Sequence, residues 1–169
     1  MNAEELKNLQ APLKEKYRAH PESAIITLKT QGKVGEGVSC KINTGRALVE
    51  AGLHPATGGT GMLVCSGDML LEALAACAGV TLKAVATAIG VEIKEGIIKV
   101  EGDLDFKGTL GVSKEAPVGF KNIRLTFELD SNATGEQMAS LQKLTERYCV
   151  VYQTLTKGVS IETAYKTSV

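Results

Sequence analysis

Apolar positions recur along this chain with two different spacings. Over residues 2 to 18, Leu6, Leu9, Leu13 and Tyr17 fall on one helical stripe, and Pro12 divides the segment into two short helical pieces, the second opening on the proline. Strand-like runs follow at Ala24–Thr30 and Val38–Asn43, separated by the glycine-rich turn Gln31–Gly37. The segment Gly52–Gly61 is too rich in glycine and proline for regular structure. The dominant element is then a helix from Gly67 to Ile89. Ser66 is its N-cap, Asp68 sits at the positive end of its dipole, Gly90 is its stop, and Cys65 and Leu70 stand where a hydrophobic staple pairs its two residues. Ala, Leu, Val and Cys occupy nearly all its sides, which predicts a buried central helix.

Alternation returns after Gly90: a short Val91/Ile93 run, then Ile98, Val100, Leu104 and Phe106, then Ile123, Leu125, Phe127 and Leu129, and finally Val159, Ile161 and Tyr165. Before the last of these lies a helix with Thr134 as N-cap and Gln137 three residues on, a capping box. Its buried stripe is Met138, Leu141, Leu144 or Thr145, and Tyr148. The predicted order, α-β-β-α-β-β-α-β, is that of an α+β domain over 1–169, with 1–23 as a helical extension and 24–165 as the core.

Composition narrows the function. The 169 residues carry 19 acidic and 19 basic side chains, so the basic excess of a nucleic-acid binder is missing, and three Phe, four Tyr and no Trp leave little for base stacking. The N-terminus has no apolar targeting core, and the longest apolar stretch, Ala73–Leu82, is too short to cross a bilayer. The expectation is a cytoplasmic protein with neither a membrane nor a nucleic-acid partner. Four cysteines, at 40, 65, 77 and 149, form no CxxC pair, so they are core packers, metal ligands or redox groups.

Common hydrolytic and nucleotide-binding signatures are missing: there is no GxSxG, HExxH or Walker loop, and Gly58-Gly59-Thr60-Gly61 lacks the phosphate-binding lysine. With His20 and His54 the only histidines, a Ser-His-Asp triad would have to run through His54. Cys40, in phase with Val38 and Ile42, reads as an inward-facing core residue, and Cys65 as structural. A metal site from Cys40, Cys65, Cys77 and His54 fits no recognised zinc spacing. Cys77 lies inside the long helix and Cys149 at the end of the capped one, and each is open to two readings, packing or redox chemistry.

The stretch Ser66-Gly67-Asp68-Met69-Leu70-Leu71-Glu72-Ala73-Leu74-Ala75-Ala76-Cys77 resembles the central-helix motif of the OsmC/Ohr family of osmotically inducible and organic hydroperoxide resistance proteins. Tyr148-Cys149-Val150-Val151-Tyr152 resembles that family's second cysteine motif, and the likeness covers roughly 24 to 165. It implies antiparallel sheets packed on a long central helix, an intertwined homodimer, and a thiol-dependent peroxidase that reduces organic hydroperoxides. By that resemblance Cys77 is the peroxidatic cysteine and Cys149 the resolving one. A dithiol reductant of lipoyl type restores both, with no metal or other cofactor. An ordinary thiol is only a few per cent ionised at pH 7. A mid-helix cysteine gets no help from its own helix N-terminus, so a cation is expected to supply the shift.

Departures from the family pattern mark the places to examine. Many members carry a glutamate ten residues before the first cysteine, where this chain has Gly67. Asp68 or Glu72 substitutes for it, or else the first is a dipole partner and the second a solvent-facing carboxylate. The family's arginine comes from the turn between the first two strands, which here carries Lys33; the nearest arginine is Arg46, read as either the activating cation or a surface group, while Arg18, Arg124 and Arg147 read as solvated-face residues. The proline common after the second cysteine is Val150. A second function is therefore carried forward: a small-molecule-binding or stress protein on the same scaffold, with little or no peroxidase activity. The homodimer also has an argument of its own, since one small sheet covers only one side of a helix that is apolar all round.

Overall fold

A computed structural model describes residues 2–20, 32–34, 39–43, 48–111 and 113–167; for 9, 12–14, 16–18, 32–34 and 39–43 it describes the backbone alone. The elements run α1 (Ala3–Ala19), β1 (Gly32–Val34), β2 (Ser39–Asn43), β3 (Leu48–Gly52), β4 (Val64–Cys65), α2 (Ser66–Ile89), β5 (Ile93–Leu104), α3 (Phe106–Thr109), β6 (Phe120–Ser131), α4 (Gly135–Tyr148) and α5 (Val150–Lys157). One sheet has the order β1-β2-β3-β4, with β3 and β4 parallel, and the other is the antiparallel ribbon β5-β6. The expected α+β class holds; several elements differ.

The β5-β6 ribbon follows from alternation. Ile98 pairs with Phe127, Val100 with Leu125 and Gly102 with Ile123, which puts one apolar face toward α2. The intervening residues are charged or polar and face outward, where Lys99 pairs with Glu128 and Arg124 bridges Glu101 and Asp103. Arg124 thus keeps its expected outer-face role, holding the Asp103 carboxyl below its ordinary range. Phe106, expected to continue the alternation, instead begins α3, because Asp105 caps that turn through the Lys107 amide.

Helix α4 is local sequence made structure. Thr134 accepts from the Gln137 amide and Gln137 reaches back to the Thr134 amide, completing the capping box. Leu141 and Thr145 are buried, but Tyr148 is 59% exposed and leaves the expected stripe. Helix α2 spans 24 residues, about 36 Å, and ends on Gly90 in the left-handed conformation at φ 73°. Its N-cap is Cys65 instead of Ser66, so the staple register proposed for Cys65 and Leu70 does not apply, while Asp68 stays in the first turn.

Within one chain, burial on α2 is concentrated on one stripe. Leu74, Ala78, Leu82, Val85 and Ala86 form one buried stripe against the β5-β6 ribbon, α4 and α5, whereas Val80 is 72% exposed. The ribbon, α4 and α5 cover that stripe, and α1 also packs on α2. By length and composition the whole helix is long and apolar enough to cross a membrane, a property the Ala73–Leu82 stretch alone does not have; in this fold its apolar stripe is a packing surface.

Other expectations change as well. Helix α1 is continuous through Pro12, since a proline forfeits one hydrogen bond and biases the preceding residue without forbidding helix. The predicted strand Ala24–Thr30 lies outside the described residues. Part of the predicted turn Gln31–Gly37 is strand β1, whose Val34 pairs with Cys40. Strand β3, unforeseen, is held by its pairing with β2. The predicted last strand is absent: residues 158–167 form neither helix nor strand, with Ile161 85% and Tyr165 94% exposed, because alternation needs a neighbouring strand and none of the described strands pairs with it.

The loop after β3 closes tightly. The Thr57 and Gly59 amides both donate to the His54 carbonyl, and a Cβ on Gly59 would sit 1.7 Å from the Leu53 carbonyl oxygen. Because the obstacle is backbone, Gly59→Ala is expected to cost roughly 1–3 kcal/mol. A lowered denaturant midpoint with an unchanged slope is the readout, and an unchanged midpoint would show the loop can rebuild freely.

Candidate active site

Two cysteines from distant parts of the sequence meet on the buried side of α2. Cys149 is 1% exposed and clusters with Leu74 and Ala78; Cys77, Val151 and Tyr152 pack against the same cluster, beneath Ile98, Val100, Ile123, Leu125 and Phe127. Cys77 reaches it because it lies three residues after Leu74, on the same side of α2. Cys149 reaches it because α4 ends there: at φ −72°, ψ 108° it is the extended joint between α4 and α5 and serves as cap residue to both. Cys65, Cys77 and Cys149 are all free thiols.

The two sulfurs differ in acidity. Burial pushes Cys77 upward, but the Val151 amide, the Cys149 thiol, the Val150 amide and the Thr81 hydroxyl all donate toward its sulfur, and together they hold it below the ordinary thiol value. Burial pushes Cys149 up, and the neighbouring Cys77 adds to the rise. One sulfur is thus favoured as the anion and the other as the thiol that donates to it.

Among the described residues the donors to Cys77 are amides and uncharged side chains, and two of them are backbone groups at the start of another helix, α5. Arg46 lies outside the described residues, as does the side chain of Lys33. Asp68 and Glu72 are exposed on α2, and at 100° per residue they stand about 180° and about 140° around the helix from Cys77. The fold does not bring either carboxylate to the thiols within the chain. Thr81 was missed, yet it was legible: it lies four residues after Cys77, on the same helical face. The amides of Val150 and Val151 carry no signature in the sequence.

The other candidates have structural roles. The His54 ring stacks on Phe106 with centroids 4.9 Å apart and its Nδ1 accepts from the Ala56 amide, which occupies it as a loop anchor. Cys65 begins α2, and Cys40 lies in β2 with its side chain outside the described residues. Among the described residues no group of three His, Cys, Asp or Glu side chains is placed to hold a metal ion. Arg147 lies over the Tyr148 ring, 5.6 Å from its centroid.

A cavity of about 630 Å³ adjoins the thiols, between β6 and α4. Leu125, Phe127, Leu129, Met138 and Leu141 line it, and Tyr152 connects it to the cysteine cluster. Thr145, 2% exposed, also lines it, with a buried hydroxyl that has no hydrogen-bond partner. Thr126, Gln142 and Glu146 also line it, so the space joins an apolar wall to a polar one.

The family model for OsmC-like protein matches residues 59–164, which include both cysteines. No curated protein matched the chain. Among solved structures, an OsmC-like protein from Mycoplasma pneumoniae superposes with a TM-score of 0.65 at 19% identity, covering 79% of this chain and 89% of that one. An organic hydroperoxide resistance protein from Legionella pneumophila gives 0.60 at 16%, covering 78% and 91%. That of Bacillus subtilis gives 0.51 at 22%, covering 79% and 92%. At these identities the likeness is one of fold.

Proposed function

This chain belongs to the OsmC-like protein family, and from that premise we propose that it is a cysteine-based peroxidase that reduces organic hydroperoxides. The observation that carries the reading is the adjacency of two free thiols with opposed pKa shifts, that of Cys77 lowered and that of Cys149 raised. The names of the hydroperoxide resistance proteins that share the fold support the substrate class.

The Cys77 thiolate attacks the terminal oxygen of the hydroperoxide. The O–O bond breaks, the alkoxide takes a proton and leaves as an alcohol, and Cys77 holds a sulfenic acid. The Cys149 sulfur then attacks that sulfur, expelling water and forming a Cys77–Cys149 disulfide. A dithiol reductant of lipoyl type returns two electrons by exchange, leaving both thiols free. The apolar part of the substrate occupies the cavity beside β6. We place this chemistry in a cytoplasmic homodimer: free thiols suit a reducing compartment, and the open face of α2, with Val80 exposed, suits a second copy.

Mass spectrometry of the reduced protein after one equivalent of cumene hydroperoxide tests the reading. The expected product is a Cys77–Cys149 disulfide with the loss of two hydrogens; an unmodified pair, or a bridge to Cys65 or Cys40, would overturn it. The same cavity favours a second reading, a protein that binds an apolar small molecule with Cys77 as packing. An apolar compound co-purifying with a protein inert to peroxide would select it.

A further inference from the structure

Among the described residues one buried side-chain polar atom has no hydrogen bond, the Thr145 hydroxyl, and Thr145 lines the cavity between β6 and α4. Inside a helix a threonine can donate to the carbonyl four residues back. Thr87 does so to Lys83 and Thr156 to Tyr152, each at 2.8 Å. Thr145 makes no such bond to Leu141, although only 2% of the residue is exposed. Its hydroxyl therefore offers both a donor and an acceptor to whatever enters the space.

The rest of the cavity narrows what that is. Its volume of about 630 Å³ is in the range of small-molecule sites, and Leu125, Phe127 and Met138 supply an apolar wall. Glu146 brings the one formal charge among the described residues that line it. Its carboxylate accepts from Gln142 Nε2 at 2.9 Å and pairs with no cation among the described residues. A ligand carboxylate placed at Thr145 would meet a like charge on the adjacent residue, whereas an uncharged oxygen would not. Thr145 also stands one helical turn before Cys149, whose amide donates to its carbonyl at 3.0 Å. An oxygen bound there lies toward the thiols, where Tyr152 joins the cavity to the cysteine cluster.

We propose that this cavity is a site for an uncharged amphiphile, an alkyl chain ending in one alcohol or hydroperoxide oxygen, with the Thr145 hydroxyl as its hydrogen-bond partner and the Glu146 carboxylate as the group that turns away a fatty-acid-like anion. The inference deepens the peroxidase reading and rests on it only for calling the ligand a substrate; the binding itself needs no peroxide.

Calorimetric titration of the full chain with 1-octanol and with octanoate, equal in chain length, tests it. Octanol is expected to bind at least about tenfold more tightly than octanoate. Thr145→Val is nearly isosteric and removes an unpaired hydroxyl, so its denaturant midpoint is expected at or above the parent's while octanol binding weakens about tenfold. Thr145→Ser, which keeps the hydroxyl, is expected to stay within roughly threefold of the parent, and Glu146→Gln to bring octanoate within roughly threefold of octanol. Octanoate binding to the parent as tightly as octanol, an unchanged octanol affinity in Thr145→Val, or no octanol binding up to its solubility overturns the proposal. Octanol does not oxidise thiols, so the disulfide test stands apart: a protein that binds octanol and ignores peroxide keeps this site and loses the peroxidase reading.

Discussion

Cys77→Ser is expected to lower organic hydroperoxide consumption by at least about three orders of magnitude, a loss typical of a deleted nucleophile. The serine oxygen would occupy the same place among the Val150 and Val151 amides and the Thr81 hydroxyl. Those donors stabilise an anion by an amount that matters for a thiol and falls far short of what an alcohol needs. An alcohol also cannot become a sulfenic acid, so no bridge to Cys149 forms. Turnover of cumene hydroperoxide with a dithiol reductant reads the effect, and activity within tenfold of the parent would remove Cys77 from the chemistry. Cys149→Ser separates the steps: a first equivalent of peroxide is still consumed, and the sulfenic acid persists long enough to be trapped with dimedone.

Leu141→Ala is expected to destabilise the fold by about 2–5 kcal/mol. Leu141 is 0% exposed and belongs to the cluster of Leu82, Val85, Ala86 and Val91, where α2 and α4 meet. It also lines the cavity beside β6, so its removal enlarges an existing space that rigid α2 cannot collapse to fill. Chemical denaturation supplies the number. A loss below about 1 kcal/mol would mean that α4 shifts inward to close the gap. In that case the Cys149 joint at the end of α4 would move with it, and the Cys77 alkylation rate should change in the same variant.

What the sequence reveals about this molecule depends on how far apart the causes lie. The capping box at Thr134 and Gln137 is complete within four residues, and it appears as read. Ile123, Leu125, Phe127 and Leu129 alternate over a single strand, and that strand forms. Val159, Ile161 and Tyr165 alternate as well, yet no strand forms, because a ladder needs a partner edge that the pattern cannot specify. Strand β3 shows the converse, as Val49-Glu50-Ala51 has a weak local signal and is ordered by pairing with β2. At the site, the two cysteines were legible from their helix settings and the motif resemblance. Their activation was not, since its main donors are peptide groups on another element and every residue but proline carries one. For Asp68 and Glu72 the angular arithmetic that relates each to its neighbours places both away from Cys77 on the same helix.

Within the proposed cycle, unequal sulfurs would also fix how the disulfide form behaves. Whatever stabilises Cys77 as an anion stabilises the dithiol form over the disulfide, so the couple is displaced toward an oxidising potential. A bridge of that kind is readily surrendered. Cys77 is the better leaving group, which directs an incoming thiol to Cys149, the sulfur that is 1% exposed in the joint between α4 and α5. Electronic preference and steric access therefore point to different sulfurs, and in the proposed cycle regeneration would be a gated event whose pace is set by how readily that joint opens.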